Sequence, residues 1–215
     1  IAIIGAGTGL GVARGINTPQ GLIALPSEGG HIEFSPRSEQ EWELSQWLKK
    51  ELNVHRLSIE RIVSGTGLGN IASWILHKKD NQNHALSAHA HAWFYLSSEK
   101  NTKPDLPALA SKAAENGDLL MQEALNIWIS AYGSAAGDLA LQELCTGGLW
   151  IGGGTASKQI NKLKSQIFLN ALRKKGRFQT FLEEIPVRAL IDPSAGLFGA
   201  ACRARMLAEL NGTLS

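Results

Sequence analysis

The sequence predicts an α/β domain, and three observations carry that prediction. Short apolar runs bounded by glycine and proline fill the first forty residues; later apolar runs empty into glycines ahead of helical patterns; and long stretches of helical period separate the glycine clusters. Strands come first and strand–helix units follow, which favours a sheet flanked by helices.

Taken in order, residues 1–4 form a short apolar strand, 22–25 a second strand ended by Pro26, and 31–34 a third ended by Ser35-Pro36. Ser38 followed by Glu41 is the S-x-x-E pattern of a capped helix start, and Trp42, Leu44, Trp47, Leu48 and Leu52 give that helix its apolar face. Residues 59–63 lead into Ser64-Gly65-Thr66-Gly67 and a helix over 68–77. Residues 78–106 mix polar runs with the apolar island Trp93-Phe94-Tyr95 and give no clear element. Pro107 suits the first turn of a helix reaching Asn116. Asp118 opens the longest helical stretch, to about Leu144, and its many alanines imply close packing. Residues 149–151 read as a strand entering Gly152-Gly153-Gly154, 157–173 as a helix, 187–191 as a last strand, and 196–210 as a terminal helix after the Asp192-Pro193 break.

Length and charge bound the function. A chain of 215 residues with 44% hydrophobic and 19% charged residues can bury a sizeable core, so disorder of the whole is excluded. A formal charge of +2 gives no electrostatic case for nucleic acid or an anionic membrane. The two cysteines, Cys145 and Cys202, make no CxxC pair, so neither a disulfide framework nor a cysteine-rich zinc site is expected. The uncharged opening, 1–13, is too short and glycine-rich to span a bilayer, and the expectation is a reduced, cytoplasmic protein. The first residue is Ile1 and opens directly into a strand-like run, which leads us to expect a piece of something larger.

The chemistry concentrates in the glycine loops. In IAIIGAGTGLGVA, neither register completes G-x-G-x-x-G: Leu10 or Val12 stands where the third glycine belongs. Gly15, Asn17 and Pro19 then intervene before a new strand, so the loop joins strand to strand and a dinucleotide-binding reading is set aside. The dipeptide Gly-Lys is absent, which excludes a P-loop. Consecutive N–H groups in a turn of this composition can instead converge on an anion, with the Thr8 hydroxyl as a further donor. The bland alternative is a tight hairpin whose glycines only supply positive φ. Gly152-Gly153-Gly154 repeats the arrangement, where glycines let a flat base lie against backbone or merely permit a close strand–helix turn. Glu28 and His31 place a carboxylate and an imidazole three residues apart, able to bond a polyol, and Glu60 is a further carboxylate of the same kind. Each alone is more often a solvated side chain. His84, His89 and His91 have no standard metal spacing, and no metal site is expected.

Five stretches in this order resemble the bacterial glucokinase family, within the superfamily of sugar kinases, heat-shock proteins and actin. They are GTGLGVA at 7–13, LPSEGGHIEFSP at 25–36, IERIVSGTGL at 59–68, GGLWIGGG at 147–154 and DPSAGLFGAA at 192–201. The resemblance implies an actin-like (ribonuclease H-like) ATPase domain with a mixed sheet flanked by helices, from a two-domain enzyme that holds ATP and hexose in the cleft. It implies that Gly7, Thr8 and Gly9 form the second phosphate-binding element, and that Gly152, Gly153 and Gly154 lie at the adenosine site. It likewise implies that Glu28, His31 and Glu60 bind glucose.

The family's first phosphate loop, of the Asp-x-Gly-Gly-Thr type, is nowhere in the chain. Its Asn-Asp pair, whose aspartate is the general base, is also missing; Asp80, Asp105, Asp118, Asp138 and Asp192 all stand in other contexts. The cysteine-rich zinc signature of the related repressor–kinase group is absent as well. The expectation is therefore the larger, C-terminal domain over 1–215, without catalytic residues of its own, with 195–215 a terminal helix crossing back to a missing N-terminal domain. In the whole protein MgATP would phosphorylate glucose to glucose 6-phosphate, a first step of carbohydrate metabolism. Glucose, ATP and the missing domain are the expected partners, with Leu197, Phe198, Met206 and Leu207 left exposed or buried by homodimerisation. The rival reading is a non-catalytic sugar or nucleotide sensor on a kinase-like domain.

Overall fold

The structure, a computed structural model, describes residues 1–19, 21–81, 83–95 and 105–210. Its centre is a mixed five-stranded sheet in the order β3-β2-β1-β4-β5. Strands β1 (Ala2–Ala6), β2 (Leu10–Thr18) and β3 (Gly21–Ser27) form an antiparallel meander, and β4 (Leu149–Gly152) and β5 (Val187–Ala189) add on in parallel to β1. Between β3 and β4 run α1 (Glu39–Glu51), α2 (Gly65–His77), α3 (Ser87–Tyr95), α4 (Leu106–Glu115) and α5 (Leu119–Glu143). Between β4 and β5 come α6 (Gly154–Lys158), α7 (Ile160–Leu163), α8 (Gln166–Arg173) and α9 (Gln179–Glu184), and α10 (Ala195–Leu210) closes the described chain.

The β1 pleat decides where the core sits. Ala2, Ile4 and Ala6 are buried on one face, while Ile3 and Gly5 are half-buried on the other. The small side chains at 2 and 6 admit α5, whose own buried face is rich in alanine: Ala124, Ala131, Ala135, Ala136 and Ala140. Deep in that contact, Tyr132 presents its hydroxyl to the sheet. It accepts from the Ala6 N–H at 3.2 Å and lies 3.3 and 3.4 Å from the carbonyl oxygens of Ile4 and Gly152. Burial pushes this hydroxyl above its ordinary pKa, so it stays a neutral donor and acceptor. Trp128 and Phe168 pack edge-on against its ring at 5.4 and 5.8 Å.

Helix starts follow local chemistry. Ser38, Ser64, Asp105, Asp118 and Ser165 each accept a bond from an N–H of the first turn. At Ser38 the reciprocal half of the capping box is missing. Glu41 takes the Arg37 N–H and guanidinium instead, because a charge-assisted pair outcompetes a bond to a neutral N–H. Asp118 carries a second duty: its other oxygen lies 2.6 Å from His84 Nε2. Burial pushes the Asp118 carboxyl up, but the Met121 N–H and the His84 ring outweigh this and hold it below the usual carboxylate range.

Several expectations need correction. No strand was expected over 10–18, yet β2 is nine residues long; Gly11 and Gly15 blur its alternation, and the sheet rather than propensity holds it. Residues 31–34 are not a full strand: Gly29–His31 is a 3₁₀ turn, and Glu33 makes a single bridge to Ser58. The helix expected over 157–173 is three short ones, broken at Gln159 and restarted by the Ser165 cap. Helices α3 and α9 were not foreseen, and residues 96–104 of the unclear stretch lie outside the described residues.

The last strand, expected over 187–191, is shorter, Val187–Ala189. The terminal helix begins at Ala195, and 211–215 of its expected extent lie outside the described residues. On it Leu197 is 78% and Phe198 70% exposed, Leu207 is also exposed, and Met206 is half-buried. Among the described residues no helix is long and apolar enough to cross a membrane.

Two variants test these contacts. Tyr132→Phe strands the buried Ala6 N–H at a cost of about 1–3 kcal/mol, so thermal denaturation should show Tm lower by roughly 2–10 °C with the far-ultraviolet spectrum unchanged. An unaltered Tm would remove the hydroxyl from the account. Asp118→Asn keeps a capping oxygen but loses the carboxylate. Because the folded-state pKa is depressed, the carboxylate's contribution is present above its ordinary value of 3.8 and is lost as pH falls through the lowered folded value. The wild type's advantage in Tm should therefore shrink as the melts move below pH 4, and an advantage independent of pH would contradict the assignment.

Candidate functional site

Because β1 and β4 are adjacent and parallel, their C-terminal ends open on the same side of the sheet. Each end carries one of the glycine loops, which is the position where open α/β sheets bind ligands. The β1–β2 turn holds Gly7, Thr8 and Gly9, closed by the pairing of Ala6 with Leu10. After β4, Gly153 adopts φ +84°, and a Cβ there would overlap the Ala6 carbonyl oxygen, so the close approach of the two loops requires glycine. Thr155 then reaches back across the gap and donates to that same Ala6 oxygen at 2.6 Å.

The start of α2 braces the β1–β2 turn from the other side. Gly65 N–H donates to Gly7 O at 2.7 Å and the Thr66 hydroxyl donates to Thr8 O at 3.0 Å. With the carbonyls of the turn thus engaged, no acceptor is found among the described residues for the Thr8 and Gly9 N–H groups. Two adjacent donors without partners are the arrangement that an anion can occupy.

Gly7 and Thr8 open on a cavity of about 810 Å³, whose walls include Thr66, Gly154, Thr155, Trp93, Trp128, Lys112 and Lys158. This size and mix of aromatic wall with a few polar groups suits a small organic ligand, and the two lysines suit an anionic one. Gly152 and Gly153 do not line it. They border a different cavity of about 700 Å³ with Ile3, Gly5 and Leu190, on the sheet face away from α5.

Glu28, His31 and Glu60 sit on two 3₁₀ turns held side by side. Ile59 N–H donates to Ile32 O at 2.9 Å and Phe34 N–H to Leu57 O at 2.8 Å, which ties the Gly29–His31 turn to the Ile59–Arg61 turn. Glu28 Oε2 lies 3.8 Å from His31 Nε2, both side chains being exposed. Arg56 donates to the His31 carbonyl oxygen at 2.6 Å. Glu60 points elsewhere: its Oε2 accepts the Leu10 N–H at 2.9 Å, at the exit of the β1–β2 turn. Glu28 also borders a smaller cavity of about 390 Å³ with Val12, Asp138 and Gln142.

The structure thus joins Glu60 to the exit of the β1–β2 turn and sets Glu28 beside His31, while the two glycine loops touch through Thr155. Thr66, Thr155, Lys112, Lys158 and the two tryptophans were not singled out from the sequence. Thr155 and Lys158 directly follow the three glycines at a spacing of three, which puts them on one side of α6, and that spacing was a signal available in advance. His84 is taken up by Asp118, and the His91 ring packs at 4.8 Å on Tyr95.

Comparison with known proteins gives the family. A family model described as Glucokinase matches residues 1–207. The glucokinase of Synechocystis sp. is 40% identical over 204 residues, which are 94% of this chain and 58% of that protein. The crystal structure of a glucokinase from an Antarctic psychrotroph is 29% identical, with a TM-score of 0.74 over 93% of this chain and 56% of that one. A ROK family glucokinase from Streptomyces griseus, solved with glucose and AMPPNP, shares the fold at 22% identity and a TM-score of 0.55. The chain therefore spans somewhat more than half the length of the relatives it matches. The mixed sheet with flanking helices is the actin-like sugar-kinase architecture that the motifs implied, and the chain belongs to the glucokinase family.

Proposed function

We propose that this chain is the larger lobe of a kinase that transfers the γ-phosphoryl group of MgATP to the 6-hydroxyl of glucose. The observation that carries the reading is the β1–β2 turn, which borders the 810 Å³ cavity on one side and is bonded to Glu60 on the other. A nucleotide in that cavity would lay its phosphates on the Thr8 and Gly9 N–H groups, with the Thr8 hydroxyl and Lys158 beside them, and Gly154, which borders both cavities, would lead its adenosine toward Gly152 and Gly153. A hexose between the two 3₁₀ turns would bond Glu28, His31 and Glu60, so its reacting hydroxyl would lie toward the phosphates.

In phosphoryl transfer most of the catalysis is positioning and charge stabilisation. This lobe has groups for both: N–H donors and a lysine for the phosphates, and two carboxylates with an imidazole for the sugar hydroxyls. None of its aspartates lies in the turn set, so the base that takes the hydroxyl proton would come from the partner lobe. Mg²⁺ would enter as part of the nucleotide substrate. The exposed Leu197, Phe198 and Leu207 of α10 would be covered by that lobe, or by a second copy in its absence.

Calorimetry and a coupled assay for glucose 6-phosphate test the reading together. The chain should bind both glucose and ATP yet produce no glucose 6-phosphate above background, far below the roughly 1–100 s⁻¹ usual for kinases. His31→Ala and Glu28→Ala should each weaken glucose by about tenfold and leave ATP unchanged, whereas Lys158→Ala should weaken ATP alone. Absence of glucose binding would defeat the proposal; turnover at kinase rates would defeat the division of labour. Retained binding with no turnover after the partner lobe is added back would favour the sensor. Light scattering should report a dimer at high concentration that Phe198→Asp returns to monomer, and a monomer throughout would exclude self-association through α10.

A further inference from the structure

We propose that Glu60 is a positioning residue for the phosphate turn as well as a sugar ligand, and that through it sugar binding strengthens nucleotide binding inside this single lobe. The inference rests on the sugar-and-nucleotide reading above. It starts from one bond, Leu10 N–H to Glu60 Oε2 at 2.9 Å, which spans fifty residues of sequence. Leu10 pairs with Ala6 to close the turn that carries the unpartnered Thr8 and Gly9 N–H groups, so fixing Leu10 helps to fix those donors.

The other end of the side chain is equally constrained. Glu60 lies in the Ile59–Arg61 turn, its carbonyl oxygen accepts from the Ser64 hydroxyl at 2.6 Å, and Ser64 in turn caps α2. The carboxylate is therefore a strut between two backbone segments. Gly9 makes room for it: a Cβ at position 9 would lie 2.5 Å from Oε2 and 3.2 Å from the carboxyl carbon. Since the atom displaced would be the tip of a flexible side chain, a methyl group there should move Glu60 and leave the fold intact. Gly9 is thus demanded by a side chain across the site, in addition to whatever the turn itself asks of it.

The remaining oxygen, Oε1, accepts no bond among the described residues. It is available to a sugar hydroxyl while Oε2 stays on Leu10. Two effects then act in the same direction. A donor on Oε1 holds the carboxylate in one rotamer and so stiffens the turn before the nucleotide arrives, which lowers the ordering cost of phosphate binding. The same donor draws charge from a carboxylate that otherwise repels phosphate from beside the turn. With the sugar absent the turn is looser and its surroundings more negative; with the sugar present both penalties fall. By linkage the nucleotide must favour the sugar by the same factor.

The test uses the 215-residue chain, glucose and MgATP. In the ¹H–¹⁵N spectrum the Leu10 amide should resonate downfield, move on addition of glucose, and move upfield in both Glu60→Gln and Gly9→Ala. Saturating glucose should raise ATP affinity by about fivefold or more in the wild type, the lower end of usual coupling. Glu60→Gln keeps an oxygen acceptor but no charge, so without glucose it should bind ATP more tightly than the wild type, an outcome that a merely structural role would not produce. Gly9→Ala should fold with an unchanged far-ultraviolet spectrum and weaken glucose by about tenfold, although Gly9 lies outside the sugar turns. If the wild type binds neither ligand, the functional reading itself fails. If it binds both independently, with the Leu10 amide unmoved by glucose, or if Glu60→Gln weakens ATP, the coupling is overturned while that reading stands.

Discussion

The hydroxyl of Tyr132 stands where β1 and β4 part company. One buried oxygen takes the Ala6 N–H and lies close to the carbonyls of Ile4 and Gly152, so a single side chain from α5 holds the ends of two neighbouring parallel strands. Those ends carry the two glycine loops. If α5 stood farther from the sheet, neither loop would have a defined place relative to the other. The alanines of α5 and the small residues of β1 bring the helix that close, and the low local dielectric makes each of these polar contacts count for more than it would in water.

From that junction the site is assembled by bracing rather than by any one ligand-binding residue. Thr155 ties the second loop to Ala6, the first turn of α2 engages the carbonyls of Gly7 and Thr8, and Glu60 takes Leu10. The β1–β2 turn is consequently held on three sides, and its remaining N–H groups have one open direction. A turn that is fixed before its ligand arrives loses less entropy on binding, so backbone donors can serve an anion without a basic patch. Of the two lysines in the cavity wall, Lys158 stands on a short helix directly behind the glycines.

How much of this was legible beforehand depended on range. Caps at Ser38 and Asp118 and the long α5 could be read because each depends on a few neighbouring residues. Strand β2 could not, since Gly11 and Gly15 weaken its local preference and only pairing with β1 and β3 makes it a strand. The stretch 157–173 has helical period throughout, yet it breaks at Gln159 and restarts at the Ser165 cap. Among the site residues, Gly7–Gly9 and Gly152–Gly154 announced themselves by composition. Thr66, Thr155 and Lys158 did not, because a threonine or lysine after a glycine is unremarkable until its partner across the sheet is known. Glu60 was legible as a residue and illegible as a strut: nothing near it in sequence points to Leu10.

By itself the amino-acid sequence determined the α/β class, the capped helix starts at Ser38 and Asp118, and the motif order that marks the family. It also shows that none of the five aspartates follows an asparagine. What only the tertiary structure decided is which loops meet, that Gly154 borders both cavities while Gly152 and Gly153 border one, and that the carboxylate at 60 is bonded at the exit of the β1–β2 turn. The reason is physical: caps and glycine turns are satisfied within a few residues, whereas the Tyr132, Thr155 and Glu60 bonds close over fifty to about one hundred and fifty residues and exist only once the sheet has brought their partners together.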